Sequence, residues 1–333
     1  MPDRVLRTGQ TRCFDQDGRR MECRGSGQDA ELGLGLNPPV PRFHMEGDEL
    51  VLDRLTGLTW TRTATPFELP MPWPEALQAI QELNRQEHLG FADWRLPNRR
   101  ELRSLIDHDA SRPALPPDHP FRRVTQTWYW TSTSSAMYPA YAWYVHLEGG
   151  RMFWGAKERD YLVWPVRGES RVLPRTGERL CFDVRGEPMD CQDSGADGDA
   201  LAGAPWPEPR FEPSGGEVLD RLTGLIWPER ADLDGPADWA EALSRLDGLQ
   251  QKTGRAWHLP NINELESLVD ASKASPALPA DHPFREVQEV YWSSTSSGFE
   301  PDWAFGLYMF KGAVGVGRKD ARFSVWPVRL AEE

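Results

Sequence analysis

The chain has 333 residues, 39% hydrophobic and 27% charged, and its 51 acidic against 38 basic side chains leave a formal charge of −13. That balance disfavours nucleic acid and other polyanions as bulk electrostatic partners. No apolar run approaches the roughly 18 residues of a membrane span, and Met1-Pro2-Asp3-Arg4 lacks the charged and apolar regions of a signal peptide.

In chain order, the first element is a C-x9-C hairpin from Cys13 to Cys23, two short strands around Asp17-Gly18. Three states of the cysteines are open: a disulfide across the hairpin, reduced thiols, or a shared zinc. The spacing is wrong for the usual zinc ligation. A disulfide places the protein outside the cytoplasm and reduced thiols place it inside. Asp15 and Asp17, like Asp193, Asp197 and Asp199 later, do not follow the spacing of a calcium-binding EF-hand loop and read as solvated turns.

A loose Gly/Pro stretch, Gly25 to Pro41, leads to a strand at Leu50–Leu52 and a turn at Thr56-Gly57. Trp73, Leu77, Ile80 and Leu83 recur at helical spacing. Asn98, three before Glu101, predicts a capping box for a second helix with the apolar stripe Leu102, Leu105 and Ile106. The remainder reads as β: Tyr129-Trp130, the run Thr131 to Ser135, an alternating strand at Ala142–Leu147, a Gly149-Gly150 turn and a closing strand at Leu162–Val166.

All of this then returns. Val51 to Leu58 repeats letter for letter as Val218 to Leu225, Cys13 and Cys23 recur as Cys181 and Cys191, and Leu96-Pro97-Asn98 recurs as Leu259-Pro260-Asn261. Asp118 to Arg122 recurs as Asp281 to Arg285, and Val163 to Arg167 as Val325 to Arg329. In the second copy, Asp238 and Glu241 resemble a capping box before the stripe Trp239, Leu243 and Leu246; Asn261 and Glu264 form another before Leu265, Leu268 and Val269. The period is far longer than that of solenoid repeats. We expect two α+β repeats, 1–168 (hairpin arm 1–45, folded unit 46–168) and 169–333 (arm 169–213, unit 214–333).

The run T-G-Q-T-x-C-[FY]-D, then D-x-L-T-G-L-x-W, W-R-L-P-N-x-x-E-L-x-S-L-[IV]-D, P-A-L-P-x-x-H-P-F, Y-W-[ST]-S-T and V-W-P-V-R resembles domain of unknown function 1566, the Lcl C-terminal domain, once per copy. The resemblance implies tandem C-type-lectin-like domains, each a twisted antiparallel sheet with two short helices, similar to adhesins and to targets of diversity-generating retroelements. It implies altered residues in the last strands and loops. The second copy departs at His258, where the first has Arg95, so a fixed ion pair there is in doubt. The formylglycine-generating enzyme shares the implied fold, but it works through a core cysteine pair, and all four cysteines here lie in the hairpins. Shared fold does not carry activity.

The copies differ where the resemblance expects variation. His146 corresponds to Tyr308, Glu148 to Phe310, Arg151 to Ala313, Phe153 to Gly315, Trp154 to Val316, Arg159 to Ala321 and Asp160 to Arg322, while Lys157 and Lys319 agree. Alternation puts Tyr144 and His146 on one face. Clustered aromatics and Arg are typical of binding hot spots. The expected ligand surface is Trp143, Tyr144, His146, Arg151, Phe153, Trp154 and Arg159 in the first copy, and Trp303, Phe305, Tyr308, Phe310, Arg318 and Arg322 in the second. The partner would be a protein or glycan. In the rival reading the same strands bury between the repeats or against another chain.

No catalysis, metal or cofactor is expected. His119 and His282, in the shared Asp-His-Pro-Phe turn, read as loop-fixing hydrogen-bonders. The two Ser/Thr runs read as turn or patch residues, because no G-x-S-x-G elbow accompanies them. No P-loop or dinucleotide fingerprint appears.

Overall fold

A computed structural model describes residues 5–331. The first repeat contains β1 (Cys13–Phe14), β2 (Arg20–Met21), α1 (Asp29–Leu32), β3 (Phe43–Glu46), β4 (Leu50–Asp53), β5 (Leu58–Thr61), α2 (Trp73–Arg85), α3 (Arg99–Arg103), β6 (Trp128–Ser134), β7 (Tyr141–His146), β8 (Met152–Ala156) and β9 (Val166–Arg167). The second contains β10 (Cys181–Phe182), β11 (Pro188–Met189), α4 (Asp197–Ala200), β12 (Phe211–Ser214), β13 (Glu217–Asp220), β14 (Leu225–Pro228), α5 (Trp239–Thr253), α6 (Ile262–Ser267), β15 (Val290–Ser296), β16 (Trp303–Tyr308), β17 (Ala313–Arg318) and β18 (Arg329–Leu330). The chain is α+β, as its pattern predicts.

Each repeat builds its own four-stranded antiparallel sheet, β3-β4-β5-β9 and β12-β13-β14-β18. The duplicated Val-Leu-Asp-Arg-Leu-Thr-Gly-Leu segment is explained by its buried aspartate. Asp53 accepts from both nitrogens of an Arg42 fork, from the Leu55 amide and from the Thr56 hydroxyl. Asp220 takes the same fork from Arg210. Gly57 and Gly224 turn the chain at φ of 78° and 81°, a region that favours glycine. Behind these sheets, Trp60 packs edge-on to Trp164 and Trp227 to Trp326, with centroids 5.5 and 5.3 Å apart.

The two capping boxes predicted for the second helices are present at α3 and α6. Asp238 caps α5 by accepting from the Glu241 amide. His258 keeps a bond where an ion pair was in doubt: its Nε2 lies 3.2 Å from both Glu264 oxygens, as Arg95 forks onto Glu101 in the first copy.

The repeats meet edge to edge. Strands β6, β7 and β8 join β15, β16 and β17 in one six-stranded antiparallel sheet, ordered β15-β16-β17-β8-β7-β6, with Val314 opposite Met152 at the seam. A pseudo-two-fold axis therefore passes between β17 and β8. Alternation assigns its faces. Trp143, Val145, Met152, Trp154, Phe305, Leu307 and Val314 lie on the inward face, towards α3 and α6. Tyr144, His146, Phe153 and Tyr308 lie on the other.

The hairpin arms are exchanged. Each cysteine pair is a disulfide, Cys13–Cys23 and Cys181–Cys191, with Cα atoms 5.2 Å apart. That settles the three open states and points to an oxidising environment. The first arm packs on the second repeat: Gln10 bonds both ways with the Ser296 backbone, and Asp29 accepts from the Thr295 hydroxyl at 2.7 Å. The buried Lys319 ammonium donates to the carbonyls of Phe14 and Asp15. The second arm mirrors this on the first repeat, with Asp197 on Thr133 and Lys157 donating to Phe182 and Asp183. The agreement of Lys157 with Lys319 thus has a structural cause. Each also sits over a tryptophan, Trp73 or Trp239, at 4.2 and 4.1 Å. Burial pulls both ammonium groups down to about 7, against nearby acids.

Two smaller expectations are corrected. Within the Ser/Thr runs, 131–134 and 293–296 are buried strand residues, not turns, whereas Ser135 and Ser297 do make turn hydrogen bonds, accepting from the Tyr138 amide and from those of Phe299 and Glu300. Thr133 and Thr295 accept from the first amides of α3 and α6 while donating to the arm aspartates. His119 and His282 fix their loops through the backbone, each amide donating to the Pro116 or Pro279 carbonyl at 3.1 Å, and not through the ring. Each Nδ1 is buried without a partner, and each ring stacks on the following Phe121 or Phe284, centroids 5.8 and 5.9 Å away.

Candidate ligand-binding surface

The outward face of the six-stranded sheet carries a belt of half-buried rings that runs from one repeat into the other. Trp128, 43% exposed, stacks on His146 at 5.3 Å and meets Tyr161 at 5.5 Å. Tyr161 contacts Tyr144 at 5.0 Å, and Tyr144 is the cross-strand neighbour of Phe153. Phe153 reaches across the seam to Tyr308 at 6.1 Å, and Tyr308 continues to Phe323 at the same distance.

Missing side chains let these rings lie down. A Cβ at Gly155 would sit 2.5 Å from the Tyr161 hydroxyl, and one at Gly317 would sit 2.6 Å from the Phe323 ring. A Cβ at Gly315 would meet the Tyr308 ring at 2.6 Å and Phe153 at 3.3 Å. Any side chain there would lift a ring off the sheet.

The belt is neutral near pH 7. Burial, reinforced by Tyr161, pushes the Tyr144 hydroxyl up to about 12, and burial raises those of Tyr161 and Tyr308. Burial and then Arg151 lower the His146 imidazole. What the face offers is ring area with hydroxyl edges, suited to stacking and directional hydrogen bonds.

The predicted site residues divide. Tyr144, His146, Phe153 and Tyr308 come together in the belt. Trp143 and Phe305 do not: they are 2% and 1% exposed, and this corrects their expected place on a ligand surface. Alternation turns both inward, Trp143 under the Arg99 guanidinium at 4.0 Å and Phe305 against His108 at 4.8 Å. Trp154 shares that face, stacked on Trp143 at 6.0 Å, and Trp303 follows the same parity at the far end of β16. Phe310 is half-buried beyond β16. Arg151 lies 6.0 Å from the Phe299 ring, Arg318 pairs with Asp320 and Arg322 with Glu241, and Arg159 is exposed.

Sequence reasoning missed Trp128, Tyr161 and Phe323. Trp128 has Val290 as its counterpart, so the comparison of copies held the signal one strand earlier than it was sought. Tyr161 and Phe323 are aromatic in both copies, so a search for differences between the copies passed over them. Among the described residues, no group of three or more His, Cys, Asp or Glu is placed to hold a metal ion, and no helix is long and apolar enough to cross a membrane.

Comparison with known proteins bears on both repeats. Residues 49–167 and 216–329 each match the family described as the Lcl C-terminal domain. No curated protein matches the chain.

Proposed function

We propose, given that this chain belongs to the Lcl C-terminal domain family through both of its repeats, that it is a non-catalytic recognition or adhesion protein that captures a glycan or protein outside the cytoplasm. The observation that carries the reading is the aromatic belt crossing the seam. A contiguous belt of part-exposed rings is uncommon on a face with nothing to bind. The C-type-lectin-like fold implied by the sequence motifs suits such a role. Positions differing between the copies include outward ones: Trp128 against Val290, His146 against Tyr308 and Phe153 against Gly315. A diversified target would show that pattern, and a reverse transcriptase gene beside a near-copy of the DNA encoding residues 303–329 would establish it.

The test is the full chain immobilised against glycan and protein arrays, with the Phe153→Ala/Tyr308→Ala double variant alongside. Loss of a captured ligand in the variant supports the belt. Ligands retained at equal strength refute it. A second reading, a scaffold, draws on the inward rings Trp143, Trp154 and Phe305, which pack near the seam. It predicts no ligand on any array and a stability loss from Trp143→Ala.

A further inference from the structure

The two copies diverge most sharply in charge where α3 and α6 approach the pseudo-two-fold axis. Arg99, Arg100 and Arg103 of α3 correspond to Ile262, Asn263 and Glu266 of α6. All three arginines are buried, and among the described residues Glu266 is the one carboxylate within ion-pair distance of Arg99 and Arg100, at 3.4 and 3.8 Å. Among the described residues, no carboxylate pairs with Arg103. Its guanidinium meets the Asn263 amide oxygen at 2.7 Å and His108 Nε2 at 3.4 Å. The His108 ring is held neutral, pushed down to about 3 by burial and then by Arg103. The three guanidinium groups thus have, within ion-pair distance, a single carboxylate among the described residues, while Asp197, Asp220 and Asp270 act from farther off.

Arg100 and Arg103 line a half-open cavity of about 400 Å3, to which Arg7 and Arg171 also contribute. Glu266, Asn263 and small hydroxyl residues share the polar wall, so four arginines face one carboxylate across it, and Leu6, Leu173, Trp206 and Leu222 supply an apolar wall. The volume falls in the range of small-molecule sites. A buried guanidinium without an anion is costly, and a carboxylate matches its fork in two parallel hydrogen bonds. We propose that this cavity between the repeats binds a small organic carboxylate, with the acid group on Arg103 and Arg100 and an apolar body against Trp206 and Leu222. The site is separate from the ring belt and does not depend on it.

The test uses the unmodified full chain titrated with 4-phenylbutyrate and with the uncharged 4-phenylbutyramide, following the indole N–H resonance of Trp206 assigned through Trp206→Phe. The acid is expected to shift that resonance saturably and the amide to need about tenfold more ligand, the discrimination of one charge-assisted contact. Arg103→Met should weaken the acid by about the same factor and leave the amide unchanged. Equal response to acid and amide, or no shift from the acid up to about 10 mM, overturns the proposal even if Arg103→Met fails to fold.

Discussion

Replacing Glu266 by Gln tests the charge arrangement between the repeats most directly. The substitution keeps the volume and one acceptor and removes the only negative charge among the described residues within 4.0 Å of Arg99 and Arg100. At an effective dielectric near 20, unit charges at these separations attract by roughly 4–5 kcal/mol each, most of it offset by the desolvation already incurred in burying them. The net cost of leaving the arginines uncompensated should be about 3–5 kcal/mol, the usual range for breaking a buried pair. Burial, with neighbouring arginines adding to it, pulls Arg99 and Arg103 down to about 10 even with Glu266 as the chief influence raising them, so its loss acts on both. The assay is urea unfolding of the full chain. Arg99→Ile, which installs the residue of the second copy, provides the second edge of a double-mutant cycle. The Glu266→Gln penalty should shrink by at least about 1 kcal/mol in that background, since one fewer cation is stranded. A Glu266→Gln cost under about 1 kcal/mol, or strict additivity with Arg99→Ile, would refute the reasoning.

Four further outcomes follow from the fold. Cys23→Ser and Cys191→Ser should each cost about 2–3 kcal/mol in denaturant melts, because each bridge closes a loop of similar short length. Asp29 is raised from 3.8 to about 6 by burial, so its ionised form opposes folding; the penalty is fully present above about pH 6 and fades as pH falls towards 3.8. Asp29→Asn should therefore gain up to about 2–3 kcal/mol at pH 8, flatten the pH dependence between these values and gain little near pH 4, read from urea midpoints. Gly248→Ala, in α5 with no atom near its absent Cβ, should raise stability by about 0.5–1 kcal/mol, whereas Gly317→Ala, blocked by Phe323, should lower it by about 1–3. The second repeat expressed alone, 169–333, should self-associate in light scattering, because the β17 edge and the bed of the first arm are then uncovered; a stable monomer would count against the shared sheet.

Much of the local structure was legible because short-range signals dictate it. The Asn98 and Asn261 boxes, the Asp-Gly hairpin and the Tyr144/His146 alternation rest on spacing alone. The duplication exposed the shared scaffold without outside help. What could not be read was long-range. No local pattern states which unit an arm will cover, so the exchange around Asp29–Thr295 and Asp197–Thr133 was invisible, and the Ser/Thr runs looked like turns because their partners lie in the other repeat. Trp143 and Trp154 read as ligand-facing because hydrophobicity does not distinguish a solvent face from a seam. Only the sheet register does. The Trp128 end of the belt escaped because the search began at Ala142, after the strand that carries it.

The arm exchange has a consequence for how such a protein can be inherited or rebuilt. Each half wears the other's clasp, so a cut at the midpoint near residue 168 would leave both products clothed in the wrong piece. Shuffling one half against a foreign partner would require the newcomer to offer a threonine and a lysine where Thr295 and Lys319 now receive the visiting strand. The halves are in that sense locked into shared descent: their outward rings are free to change, and their handshake is not.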